Sequence, residues 1–239
     1  MTGRGPAPQL TLDLFKSARH DFAGFLCGAN HQALLAVQHW ARRDGPPILH
    51  LRGVQGSGKS HLLQAAIGAV AAGTVRAMYV PLREIFPDGE QLLEDLDSVE
   101  IIALDDIDIC AGQASWERCL FNLYNAVYTS GRRLLWSART EPAFVLPDLV
   151  SRVQASLIYQ LHELSDTDKA AVLRTRAHAR GLDLPEAVVE FVMLRERRDM
   201  TSLITLLDEL DAIALAQVRA LTVPLVREVL AARKSTVED

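Results

Sequence analysis

The fold of this 239-residue chain turns on residues 53–61, GVQGSGKSH. They carry the pattern GxxxxGKS, with Gly53, Gly58, Lys59 and Ser60 in the fixed places, between the apolar run ILHL (48–51) and the helix-like segment HLLQAAIGAVAAG (61–73). A strand before and a helix after form the setting in which such a loop binds phosphate rather than merely turning the chain. Its glycines let consecutive backbone N–H groups turn inward around an anion, and the helix start adds its positive end. Lys59 then reaches the terminal phosphates, and the Ser60 hydroxyl can ligate Mg2+. The expected phosphate-binding set is Gly53, Gly56, Ser57, Gly58, Lys59, Ser60 and His61.

Working outward, short apolar runs alternate with amphipathic stretches. RAMYVP (76–81), IIALD (101–105), RRLLW (132–136) and LIYQL (157–161) join ILHL as expected buried strands. Helix-like segments such as WERCLFNLYNAVYTSG separate them, and that segment ends in a glycine suited to a helix C-terminus. The series predicts an α/β fold, a parallel sheet covered by helices. From about Ser165 the strand pattern stops. SDTDKAAVLRTRAHARG opens with a capping box at Ser165 and Asp168 and closes on Gly181. LPEAVVEFVMLRERR sets Pro185 in a first turn, TSLITLLDELDAIALAQVR is long and amphipathic, and TVPLVREVLAAR repeats a Thr-then-Pro start at Thr222 and Pro224. The expected domains are a tail over 1–17, a nucleotide-binding α/β domain over 18–163 and a small helical lid over 164–239.

A phosphate loop needs a carboxylate at a neighbouring strand end to hold the metal shell. IIALDD supplies Asp105 there, with Asp106 following where a water-orienting base belongs. The strand between these two should face the terminal phosphate, and RRLLWSAR offers Ser137 at its end, either as a water-orienting hydroxyl or as an ordinary turn residue. Charge on the transferring phosphoryl group is best met by a guanidinium, often from another subunit. Arg152, in LPDLVSRV, lies beyond the nucleotide's own edge of the sheet and suits a neighbour's site, unless it simply pairs with Asp148 at i, i+4. Arg198, in RERRDM, could fold back onto the phosphates from the lid, or be solvated charge among its neighbours.

Half the residues are apolar, ample for a core, and the formal net charge of −5 argues against a chain built to coat nucleic acid. DNA is therefore expected only as an indirect partner. Three cysteines, Cys27, Cys110 and Cys119, form no CxxC pair and read as free thiols in a reducing compartment. No basic segment leads into an apolar one at the start, and AAIGAVAAG is too short to span a bilayer, so no membrane is expected and the cytoplasm is.

With the phosphate loop, IIALDD, SAR, VSR and RRDM in this order, the chain resembles an AAA+ ATPase of the DnaA type from about Phe22 to Leu230. The resemblance implies ADP or ATP as ligand with Mg2+. It makes Ser137 sensor one, Arg152 the arginine finger and Arg198 sensor two. FLCGANHQALLAV resembles the segment that helps enclose adenine in that family, with Asn30 expected to cap the next helix. Arg139 and Thr140 depart from the family's usual Asp-Arg pair after sensor one. The family's initiators continue past the lid into a helix-turn-helix DNA-binding domain, whereas this sequence stops after LVREVLAARKSTVED. That pattern is similar to the family's regulators, which promote hydrolysis of ATP on the initiator DnaA while held on the replicase sliding clamp; a homo-oligomer is compatible with it. QLTLDLF then becomes informative: Gln9, Leu10, Leu12, Leu14 and Phe15 resemble the clamp-binding pattern QLxLxL, with leucines alternating as in an extended peptide. The same leucines could instead lay an arm on the domain's own core. The competing function is an ATPase that hydrolyses its own ATP as a DNA remodeller or helicase loader, which the full set Lys59, Ser60, Asp105 and Asp106 would serve.

Overall fold

A computed structural model describes residues 20–70, 75–196, 199–217 and 219–237. Residues 9–15 and Arg198 lie outside the described residues. Five strands form one parallel sheet: β1 (Ile48–Arg52), β2 (Ala77–Pro81), β3 (Ile101–Asp105), β4 (Arg133–Ala138) and β5 (Leu157–Gln160), in the order β2-β3-β4-β1-β5. Each falls within a residue or two of the expected run. Successive side chains point to opposite faces of a strand, and both faces here are covered, which is why the runs are continuously apolar. Ile101, Ala103 and Leu135 pack with Leu62, Leu63 and Trp40 from α2 (Lys59–Val70) and α1 (His31–Ala41). Ile102, Leu104, Leu134 and Trp136 face the other way, onto Trp116, Leu120 and Val127 of α5 (Ala114–Ser130) and Leu149 of α6 (Pro147–Ala155). Short helices α3 (Leu82–Ile85) and α4 (Gln91–Glu94) bridge β2 to β3.

Beyond β5 the chain is helical: α7 (Asp166–Ala179), α8 (Glu186–Arg195), α9 (Met200–Gln217) and α10 (Val223–Val237). They enclose a core of their own, with Leu173, Val188, Leu203, Leu206, Leu225 and Val226 buried together. Ser165 caps α7 as its sequence implies, its hydroxyl accepting from the Asp168 amide at 3.1 Å. Gly131 and Gly181 end α5 and α7 with φ of 71° and 73°, the left-handed conformation that glycine adopts without strain. All three cysteines are free, and burial pushes the Cys110 thiol up to about 12. No helix among the described residues is long and apolar enough to cross a membrane.

Two polar residues do work that their spacing did not announce. Asn30 precedes α1 but makes no capping bond. Its buried amide instead donates to the His162 carbonyl at 2.9 Å and accepts from the His162 N–H at 2.7 Å. The expectation that Asn30 caps the helix is thereby corrected: the side-chain amide pairs with both backbone polar groups of His162, just beyond β5. Glu117, 1% exposed, accepts from the amides of Gly112 at 2.7 Å, Val145 at 2.9 Å and Leu146 at 2.7 Å. One carboxylate thus joins the turn after β3 to the start of α6.

His50, in β1 beside Trp136 of β4, is 1% exposed and neither ring nitrogen has a hydrogen-bond partner among the described residues. Burial, with a smaller contribution from the Arg52 cation, lowers its pKa from the ordinary 6.5 to about 4. A base depressed in the folded state adds no penalty above pH 6.5 and costs stability as pH falls toward 4, where the folded form must also take up the proton. The loss approaches about 3 kcal/mol across that window. Urea unfolding of the parent and of His50→Phe between pH 7 and 4 should show the parent's stability falling more steeply by that amount; parallel curves would contradict the assignment.

Candidate functional site

In open parallel sheets ligands sit outside the carboxyl ends of the strands, where strand order reverses. Here the end of β1 lies between β4 and β5. Gly53 continues β1, donating to the Ala138 carbonyl at 3.1 Å. A Cβ on Gly53 would stand 2.6 Å from the Leu161 carbonyl oxygen and 2.7 Å from Ser57 Oγ, so only glycine lets the loop close. Gly56 and Gly58 take φ of 81° and 94°. The backbone therefore curls into a cradle at the start of α2. Lys59 is buried, its ammonium donating to the carbonyls of Gly53 at 2.6 Å and Val54 at 3.0 Å. Burial lowers its pKa, opposed by the carboxylates of Asp106, Asp105 and Asp108. Ser57 Oγ is buried with no hydrogen-bond partner among the described residues, and Ser60 is exposed in the first turn of α2.

At the end of β3, Asp105 is 5% exposed and accepts from the Tyr79 hydroxyl at 2.8 Å and from the Ser137 hydroxyl. Burial first, then the Asp105 charge, drives the Tyr79 pKa upward, so the phenol stays a donor. The Ser137 oxygen in turn accepts from the Asp106 amide at 3.0 Å. Asp106 adopts φ 58°, ψ 50°, a left-handed conformation uncommon outside glycine. Its carboxylate pairs with Nε of Arg83. Arg139 donates its amide (3.1 Å) and its Nε (3.4 Å) to Asp108.

Loop and carboxylate turn face one cavity of about 310 Å³. Of the expected residues, Gly56, Ser57, Gly58, Lys59, Ser60, His61 and Asp106 line it, while Gly53 lies outside the wall and accepts from Lys59, and Asp105 and Ser137 bond behind Asp106. Arg152 is not in its wall. It is exposed on α6 with its guanidinium 5.9 Å from the Tyr124 ring centroid, and it makes no ion pair with Asp148. The cavity also brings in Arg83, Arg139 and Arg176, and an apolar side made of Phe25, Leu26, Leu164, Val172, Met200 and Ile204. Sequence reasoning missed most of these. Phe25 and Leu26 belong to the segment likened to an adenine-enclosing one, and Arg139 stood out as a departure, but Arg83, Arg176 and Tyr79 fit no motif.

Four cationic side chains, Lys59, Arg83, Arg139 and Arg176, face this cavity against the single carboxylate of Asp106 among the described lining residues. His20 and His61 stand edge to face with centroids 4.8 Å apart; burial lowers both pKa values, that of His20 to about 4, so neither ring is charged at pH 7. A phosphate cradle, a surplus of positive charge, an orphaned Ser57 hydroxyl and an apolar wall for a flat base together fit a nucleotide polyphosphate with a divalent cation. Ser60 stands in the cavity wall where its hydroxyl could ligate the cation, and Asp105 stands behind that wall, bonded to Tyr79 and Ser137.

Fold and cavity together define an AAA+ protein: a P-loop sheet with a helical lid closing over it. The bacterial DnaA ATPase-domain family model matches residues 16–163 and the Hda lid-domain model matches 166–230, so the chain belongs to the DnaA family and carries an Hda-type lid. Domain III of the Thermotoga maritima replication initiator DnaA is similar over 90% of this chain and 97% of that one, with 22% identity and a TM-score of 0.78. AMPPCP-bound DnaA from Aquifex aeolicus is similar at 19% identity over 83% of this chain and 67% of that one, with a TM-score of 0.67. The Thermotoga maritima RuvB Holliday junction branch migration motor shares the fold at 13% identity and a TM-score of 0.63, over 84% of this chain and 67% of that one. The chain is a DnaA-related AAA+ protein of replication initiation.

Replacing Gly53 by Ala should lower folding stability by roughly 1–3 kcal/mol, because neither the Leu161 carbonyl nor Ser57 can recede freely. Denaturant unfolding of Gly53→Ala against the parent measures it, and an unchanged midpoint would show that the cradle is looser than its contacts imply.

Proposed function

We propose that the chain binds ADP or ATP with Mg2+ at this cavity and regulates replication initiation by stimulating hydrolysis of the ATP held by the initiator DnaA. The observation that carries the reading is the split between its arginines: three face the chain's own cavity, whereas Arg152 is presented to solvent on α6, away from it. A guanidinium held outward cannot neutralise its own phosphates and suits those of a neighbour. Family membership supports DnaA as that neighbour. Residues 9–15 supply the second contact, an extended peptide for the sliding clamp, a role that rests on the pattern QLTLDLF alone.

In this reading the amides of Gly56, Ser57, Gly58 and Lys59 enclose the phosphates, with His61 in the following turn. The Lys59 ammonium would leave the two loop carbonyls for the terminal oxygens, Ser60 and Asp105 would hold the magnesium shell, and Arg198 is assigned to the phosphates on its sequence pattern alone. Bound nucleotide would supply the negative charge that the cavity's four cationic side chains face. Asp105 is oriented by its two hydroxyl donors, Tyr79 and Ser137, and Ser137 fixes Asp106 through the backbone. Asp106 is the residue to orient water, so slow turnover of the chain's own ATP is compatible with a main action in trans. The site of action is the cytoplasm, with DNA reached through clamp and initiator. The domains follow as a clamp-binding tail over 1–17, the nucleotide domain over 18–163 and the lid over 164–239.

Arg152→Ala should melt as the parent does, bind ADP as well, and lose the stimulation of initiator-bound ATP hydrolysis by about 10³-fold or to background. Retention of full stimulation would put the finger elsewhere. Replacing Gln9, Leu12 and Phe15 together by Ala should abolish the stimulation that depends on clamp loaded on DNA while nucleotide binding, read by calorimetry, stays intact; full activity of that variant would remove the clamp from the proposal.

A further inference from the structure

Arg83 is absent from the motifs and from the roles assigned above, yet it occupies the wall of the cavity against the residue placed to orient water. The register explains how it arrives there. Pro81 at the end of β2 pairs with Asp105 at the end of β3, so the first turn of α3 comes to rest beside the turn that follows Asp105. Nε of Arg83 lies on Oδ2 of Asp106. The guanidinium side chain remains 44% exposed while the Asp106 side chain is 18% exposed. Guanidinium carries five donors in a rigid fork, and only Nε has a bonding partner among the described residues. The remaining donors belong to a group that lines the cavity.

We propose that Arg83 is a specificity-determining residue that makes the site distinguish a nucleoside triphosphate from a diphosphate. The inference rests on the nucleotide reading of the cavity. Within a phosphate loop the backbone amides hold the phosphates nearer the base, and a water-orienting carboxylate stands by the last one. A cation bonded to that carboxylate is therefore close to the third phosphate and remote from the first two. With a diphosphate, Arg83 keeps Asp106 neutralised and engaged. With a triphosphate, its fork has a second anion to bind, and Asp106 is released in proportion. The left-handed backbone at Asp106 supports this two-way arrangement: the Ser137 bond to its amide holds the backbone still, so the carboxylate stays in place when its partner leaves.

Calorimetric titration of ADP and ATP, each with magnesium, into the parent, Arg83→Ala, Asp106→Asn and the double variant tests the proposal. ATP should bind Arg83→Ala about tenfold more weakly, the scale of one charge-assisted hydrogen bond, while ADP changes by less than about twofold. In the Asp106→Asn background no carboxylate competes for the guanidinium, so the Arg83 truncation should weaken ATP by at least a further threefold or so. Thermal melts report folding, and Arg83→Lys, which keeps the charge without the fork, should fall between parent and Ala for ATP. Equal weakening of ADP and ATP, or an ATP loss that is the same in both backgrounds, overturns the proposal. A parent that binds neither nucleotide overturns the nucleotide reading and this inference with it, whereas a parent that binds both alongside an Arg83→Ala that shifts them equally overturns this inference alone.

Discussion

The structure depends on the hydroxyl of Ser137 at the end of β4. It donates to the Asp105 carboxylate and accepts from the Asp106 amide, tying two strand ends and a turn through one oxygen. Buried carboxylates are tolerable only when hydrogen-bonded, and Asp105 is satisfied from one side by Ser137 and from the other by Tyr79. That knot lets an aspartate sit in left-handed backbone at position 106, and the position in turn aims its side chain past the sheet edge into the cavity instead of back over β3. Remove the hydroxyl and the Asp106 amide loses its side-chain acceptor while Asp105 is left with the Tyr79 donor, which is why a residue that looks like an ordinary turn serine matters to the whole site.

A second set of contacts carries this arrangement outward. Phe25 packs so close to Gly58 that a Cβ there would meet its ring at 2.6 Å, and the Met200 amide lies 3.5 Å from the corresponding point on Gly56. The phosphate loop is thus touched by the segment before α1 and by the first residue of α9, one on each side. Asn30 fastens the segment at the base of the lid through His162. On the far side, Glu117 links the turn that follows the Asp106 region to Val145 and Leu146, and so to the helix bearing Arg152. One buried carboxylate thus holds the turn at Gly112 and the start of α6 together.

How much of this was legible in the sequence follows from how local each signal is. The five strands could be read because a parallel strand buried on both faces must be apolar along its length, and the loop because glycine spacing is dictated by backbone turns. Ser165 and Gly181 were readable for the same local reason. Asn30 was misread because a polar residue before a helix has two uses, capping and long-range pairing, and the choice is made by His162, a partner 132 residues away. Arg83 and Arg176 carried no signal at all: arginine after a strand or within an amphipathic helix is ordinary surface chemistry until the fold sets it beside a phosphate loop. Arg139 stands out in the sequence as a departure from the family's pair and as the next arginine after Arg152 to suit a finger, and the structure gives it a partner in Asp108.

The arginines also show why charge must be judged by where it points. A formal net charge of −5 makes the chain as a whole repel polyanions, yet the cavity gathers guanidinium groups from α3, the end of β4 and α7 around a single lining carboxylate. At a Debye length of about 8 Å the acidic surface is screened from a ligand already inside, while groups within the cavity are not screened from one another. Association from solution is then only weakly steered, and affinity is set by short-range contacts made after entry. Arg152 is governed by the opposite balance. Exposed beside Tyr124, it gains little from any partner on its own chain, so its side chain keeps the freedom, and the full charge, that a contact with another molecule would use.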